Sequence, residues 1–133
     1  MIHITIPLEP RTKKNSQQII PNRATGRYMI IPSKAYKEFE KEAVKHLPKL
    51  KISSPVNVRC VYYMSTKRRV DLVNLEEATL DLLVKGETLM DDNCKVVAAM
   101  DGSYVDYDKA NPRTEIWIED LSNLTESCLN GDG

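Results

Sequence analysis

Between Pro55 and Lys85 the spacing of apolar residues changes once, from every second residue to every third or fourth. In PVNVRCVYYM, residues 55–64, Val56, Val58, Cys60, Tyr62 and Met64 share one face of an extended chain. From Asp71 to about Lys85, Leu72, Leu75, Thr79, Leu82 and Leu83 recur at helical spacing. A strand followed by a helix, each with one apolar face, is the unit of an α/β domain. The rest of the chain extends the pattern. IHITIP (Ile2–Pro7) alternates as a strand, and RATGRYMII suits a short hairpin turning at Thr25-Gly26. Ser33 stands where an N-cap belongs, before the helix KAYKEFEKEAVKHL with its stripe of Tyr36, Phe39, Ala43, Val44 and Leu47; Pro48 ends it. CKVVAAMDGSYV reads as a third strand bent at Asp101-Gly102, and PRTEIWIEDL as a fourth. The expected fold is α/β, a small mixed β-sheet of about four strands packed with two helices. It forms one domain over residues 1–121 with a flexible tail at 122–133.

Composition adds limits. At 133 residues and 41% hydrophobic, the chain can bury a core. No apolar run approaches ~20 residues, so no membrane span is expected, and the N-terminus lacks signal-peptide character. Cys60, Cys94 and Cys128 are odd in number and lack CxxC spacing, which suits reduced thiols in a cytoplasmic protein. Formal net charge is zero, yet residues 1–70 carry 15 Lys and Arg against four acids, and residues 71–133 carry four against 15. A basic half can hold a polyanion while an acidic half holds a cation; the bland alternative is that the two halves interleave as salt bridges.

The two charges meet in KRRVDLVNLEEATLD, residues 67–81, answered by Asp91-Asp92. Asp71, Asn74, Ala78 and Asp81 form a helical row beside the apolar stripe, and Glu77 lies further round. Hard divalent cations take oxygen ligands, typically one or two carboxylates with water and substrate phosphate. Crowded carboxylates repel unless a cation sits among them. Each acid also has a structural reading: Asp71 as an N-cap, Glu76 and Glu77 as a solvated first turn, Asp91-Asp92-Asn93 as a turn. The adjoining Lys67, Arg68 and Arg69 favour a phosphodiester-cleaving site, where cations grip phosphates and carboxylates carry the metal. His3 and His46 are read as structural, and Asp101 as a turn residue.

The stretch RRVDLVNLEEATLDLL followed by LMDDNCKV resembles the RusA-type Holliday-junction endonucleases, with KKNS and PSKAYKEFEKEA as weaker matches. The resemblance implies a small homodimer that nicks four-way DNA junctions symmetrically with Mg²⁺ (Mn²⁺ as substitute), and a phage or prophage origin. It implies no small-molecule cofactor. The family's essential acids fall on Asp71 and Asp92, with Asp91 beside it. Two positions depart. Val73 stands where better-known members have a second Asp, and Glu77 where they have a Lys. The expectation is that Glu77 replaces the missing carboxylate, with Glu76 the less favoured substitute. Asp71, Glu77 and Asp92 are then the catalytic set, and these with Asp91 the metal set. DNA contacts are expected at Lys13, Lys14, Asn15, Arg23, Arg27, Lys67, Arg68 and Arg69. Two other functions stay open: a junction or nucleic-acid binder without catalysis, and a flap- or fork-specific nuclease.

Overall fold

Val56, Val58, Cys60 and Tyr62 are all buried along β4 (Val56–Met64), as their alternation requires. The computed structural model describes residues 1–13 and 17–122, with the backbone alone for 17–20 and 29–32. β4 is the central strand. On one side it pairs antiparallel with β7 (Arg113–Asp120), which pairs in turn with β1 (Ile2–Ile6). On the other side it pairs in parallel with two short strands, β5 (Val97–Ala99) and β6 (Tyr104–Tyr107). A parallel neighbour needs a long crossover, usually helical. That crossover is α2 (Leu72–Lys85).

The mixed sheet and two helices are those expected, but the main sheet has five strands. The segment read as one bent strand is two, separated by a turn at Asp101-Gly102. Gly102 adopts φ +86 there, and the stem of Arg59 lies where its Cβ would be, with Cδ at 2.9 Å. Asn57 fixes the turn through both backbone atoms of Asp101, at 2.8 and 3.2 Å, so Asp101 is a turn residue.

Ser33 caps α1 (Lys34–Val44) by accepting from the Tyr36 N–H at 3.1 Å. The helical pattern to Leu47 continues as a tightened turn, with Lys45, His46 and Leu47 donating three residues back. One face of the sheet supplies Ile4, Ile6, Val58, Cys60, Tyr62, Ile116 and Ile118 to a core shared with Ala43, Leu75, Leu82 and Leu83 of the helices. The opposite face is covered by its own side chains. Arg59 lies 4.6 Å over Trp117, His3 stacks on Trp117 at 4.8 Å, and Arg113 lies 3.9 Å over Tyr63. His3 also bonds Glu115 at 2.9 Å, consistent with a structural role. Cys60 is buried and Cys94 exposed, both as free thiols; Cys128 and the expected tail beyond Ser122 lie outside the described residues. No helix among the described residues is long and apolar enough to cross a membrane.

The hairpin is longer than the sequence suggests. β2 (Gln17–Asn22) and β3 (Arg27–Pro32) form a two-stranded sheet of their own.

Candidate active site

Two faces of α2 have separate tasks. Leu75, Thr79, Leu82 and Leu83 enter the core. Next to them, Asn74, Glu77, Ala78 and Asp81 line a cavity of about 270 Å³, which Thr12, Lys13 and Asp92 complete. This is the i, i+3, i+4, i+7 row of one helix face. α2 itself is held to β4 by a buried hydrogen-bond chain. Thr79 Oγ1 donates to the Leu75 carbonyl at 2.8 Å and meets the Tyr62 hydroxyl at 2.8 Å. Burial pushes the Tyr62 phenol well above its ordinary value.

Asp92 reaches the cavity because its loop is anchored just before it. Leu89 is fully buried, and the Met90 N–H donates to the Ile52 carbonyl at 2.9 Å. Asp91 turns the other way. Its carboxylate accepts from the Asp92 N–H at 2.7 Å and from Asn93 Nδ2 at 3.0 Å, so it builds the turn. Lys13 enters from the segment after β1 and pairs with Asp81 across 68 positions of sequence. Other pairs also join the basic and acidic halves: Lys85 with Glu40 at 2.9 Å and Lys49 with Glu87 at 3.5 Å. The halves therefore do interleave, yet Glu77 and Asp92 make no ion pair among the described residues.

Asp71 occupies the N-cap position of α2 without making a side-chain capping bond. Its Oδ2 accepts a long 3.4 Å contact from Asn74 Nδ2. It lines an adjoining hollow with Arg69, Val70 and Asn74, and Asn74 belongs to both that hollow and the acidic cavity. Val73 is exposed. Glu76 is half-buried outside the cavity, and that desolvation raises its carboxyl above the ordinary range.

A third hollow, about 290 Å³, is lined by Arg11, Arg68 and Arg69 together with Glu9, Thr12, Thr66 and Leu75, among others. Thr12 therefore borders both the cationic hollow and the acidic cavity, and Arg69 borders both the cationic hollow and that of Asp71. Glu9 does not oppose the arginines freely, since Ser65 N–H and Oγ both donate to it. Lys67 stands apart, 5.4 Å over the Tyr107 ring. Arg23 and Arg27 flank the hairpin turn, and Lys14 and Asn15 lie outside the described residues. Sequence reasoning missed Arg11 and Thr12, and placed Asp81 in the helical row without giving it a role; the excess of cations over acids in residues 1–70 was the only signal for Arg11.

A family model described as Endodeoxyribonuclease RusA matches residues 7–119. The chain belongs to the RusA endodeoxyribonuclease family. No curated protein sequence matches it. The match spans every feature of the groove: Arg11 to Lys13, Arg68 to Asp81, and Asp91-Asp92. RusA-family membership calls for a test of metal fit. Among the described residues, no three Asp, Glu, His or Cys side chains converge as a ready-made metal group. The cavity does offer the carboxylates of Glu77, Asp81 and Asp92 and the Asn74 amide. An oxygen donor set of this kind suits a hydrated Mg²⁺, which needs only one or two carboxylates and keeps several waters.

Proposed function

We propose that this chain is an Mg²⁺-dependent, structure-selective endodeoxyribonuclease that resolves four-way DNA junctions. Family membership supports the nuclease chemistry. The observation that carries the reading to a site is the groove, in which an arginine-lined hollow adjoins a carboxylate-lined cavity at Thr12. A nuclease needs both limbs within one phosphate's reach.

In this reading Arg11, Arg68 and Arg69 hold the backbone on either side of the scissile phosphate, using charge-assisted hydrogen bonds. Glu77 and Asp92, with Asp81, would hold the cation; Asp71 and Asn74 border the same path and would orient water there. When bound there, such a cation would supply acidity to an attacking water and offset charge on the phosphate. Lys13 keeps Asp81 turned into the cavity and carries positive charge to its rim. Glu77 thus stands in for the carboxylate absent at Val73. Asp91 serves as a support for Asp92. A homodimer would present two such grooves about a two-fold axis and cut two strands symmetrically.

The test compares cleavage of a four-way junction, a flap and a plain duplex, with and without Mg²⁺. Preferential, paired, Mg²⁺-dependent nicking of the junction is expected. Flap preference, or binding without cleavage, selects one of the two other functions instead. Glu77→Gln should bind junctions normally. Its cleavage should fall by more than the ~10–100-fold that loss of an outer-shell partner costs at a metal site. Full activity in that variant refutes the role of Glu77.

A further inference from the structure

Among the described residues the β2–β3 hairpin pairs with no other strand, and two strands alone gain little stability in water. Its turn is nevertheless well tied. The Gly26 N–H donates to the Asn22 carbonyl at 2.8 Å, Ala24 N–H donates to Asn22 Oδ1 at 3.0 Å, and Gly26 takes φ +71. Arg23 and Arg27 flank that turn, both exposed. From Pro10 to Lys37 the sequence holds seven Lys and Arg and not one acid; Lys13 pairs with Asp81, so the positive charge comes from the arm itself and is answered by no acid within it.

Tyr28 sits one position beyond Arg27, opposite Pro21 in the ladder. It is 78% exposed, well above Tyr104 and Tyr107 among the described residues. Tyr107 is covered by Lys67. The Tyr28 side chain has no ring, ion or hydrogen-bond partner among the described residues. An open aromatic face between cations, on an arm that carries no acid of its own, complements a polyanion that shows flat π faces. Continuous duplex hides those faces in its stack; a branch point interrupts the stack. Base–aromatic stacking tolerates any sequence, because every base has such a face.

We propose that the hairpin tip is a second DNA contact, in which Tyr28 stacks on a base whose own stacking is broken at a branch while Arg23 and Arg27 hold the flanking phosphates. The inference rests on the DNA-junction reading above, but it requires neither metal nor cleavage. It also supplies a source of junction selectivity that needs no reading of base edges.

The test measures binding in EDTA to a four-way junction carrying 2-aminopurine at the branch, and to a plain duplex. The wild-type chain and Tyr28→Phe should change the probe's fluorescence on binding. Tyr28→Ala should not, and its junction affinity should drop by about 5- to 150-fold, the range for one stacked base, with duplex affinity unchanged. Tyr28 is exposed, so thermal unfolding of the variant should match wild type. An unchanged ratio of junction to duplex affinity in Tyr28→Ala refutes the stacking contact alone. A wild-type chain that binds no junction refutes the parent reading and this contact together.

Discussion

Thr79→Val is the perturbation that most directly tests how α2, and the site on it, is fastened to the sheet. The substitution keeps the shape of the side chain and removes its oxygen. Thr79 spends its own proton on the Leu75 carbonyl, so the 2.8 Å contact with Tyr62 must be donated by the tyrosine. Both residues are almost fully buried. In the valine variant the Tyr62 hydroxyl loses its oxygen acceptor and keeps only the nearby Cys60 thiol, a weak partner. A buried polar group left unsatisfied costs about 1–3 kcal/mol. With an unfolding entropy of roughly 2.1 cal/mol/K per residue over the about 120 described residues, each kcal/mol moves Tm by ~4 °C. Thr79→Val should therefore lower Tm by about 4–12 °C by calorimetry or circular dichroism. Tyr62→Phe should also destabilise. The double variant orphans nothing, so its loss should fall short of the two single losses summed by about 1 kcal/mol or more. Strict additivity, or a Thr79→Val chain as stable as wild type, refutes the reasoning.

Three further outcomes are expected. Burial alone would raise the Glu115 carboxyl, but hydrogen bonds from Thr5, Arg113 and His3 outweigh it and hold it below the ordinary value of 4.5. A depressed carboxyl contributes stability that is fully present above that value and is lost as pH falls through the folded one; Glu115→Gln should be less stable at neutral pH and show a shallower acid loss below 4.5 in pH-dependent urea unfolding. Gly102→Ala forces a side chain onto φ +86 and against the Arg59 stem; it should destabilise by about 1 kcal/mol or more, and an unchanged denaturation midpoint would contradict this. Lys13→Met should weaken junction binding and reduce the salt-dependence slope by about one; an unchanged slope would confine Lys13 to its pair with Asp81.

The elements legible in the sequence are those whose pattern is local. Ser33 with its following stripe gives α1 except for its last three residues, and the two spacings on either side of the Lys67–Arg69 run give β4 and α2 almost to the residue. β2 is hidden because Pro21 and Asn22 are residues that favour loops. An edge strand tolerates a proline that cannot donate, and the hairpin has nothing but edges. The β5–β6 division was legible only in part: Asp101-Gly102 marked a bend, and it takes the Asn57 and Arg59 contacts from another strand to make that bend a break. The site shows the same division. The row Asn74, Ala78, Asp81 follows from helix geometry. The approach of Lys13 and Thr12 depends on a loop crossing to a helix far along the chain, and no spacing rule reports it. Asp71 illustrates a position whose type was clear and whose partners were not, since it takes the N-cap place without the capping bond.

One helix serves as both wall and workbench in this molecule, and that restricts how such a protein can diversify. Each added or deleted residue inside 75–81 would swing everything after it by about 100°. Glu77 or Asp81 would face the core while leucines faced the groove. Retuning this nuclease must therefore proceed by exchanging side chains in place, as Val73 and Glu77 suggest. Changes in length are left to the hairpin and to the turn that follows Gly86.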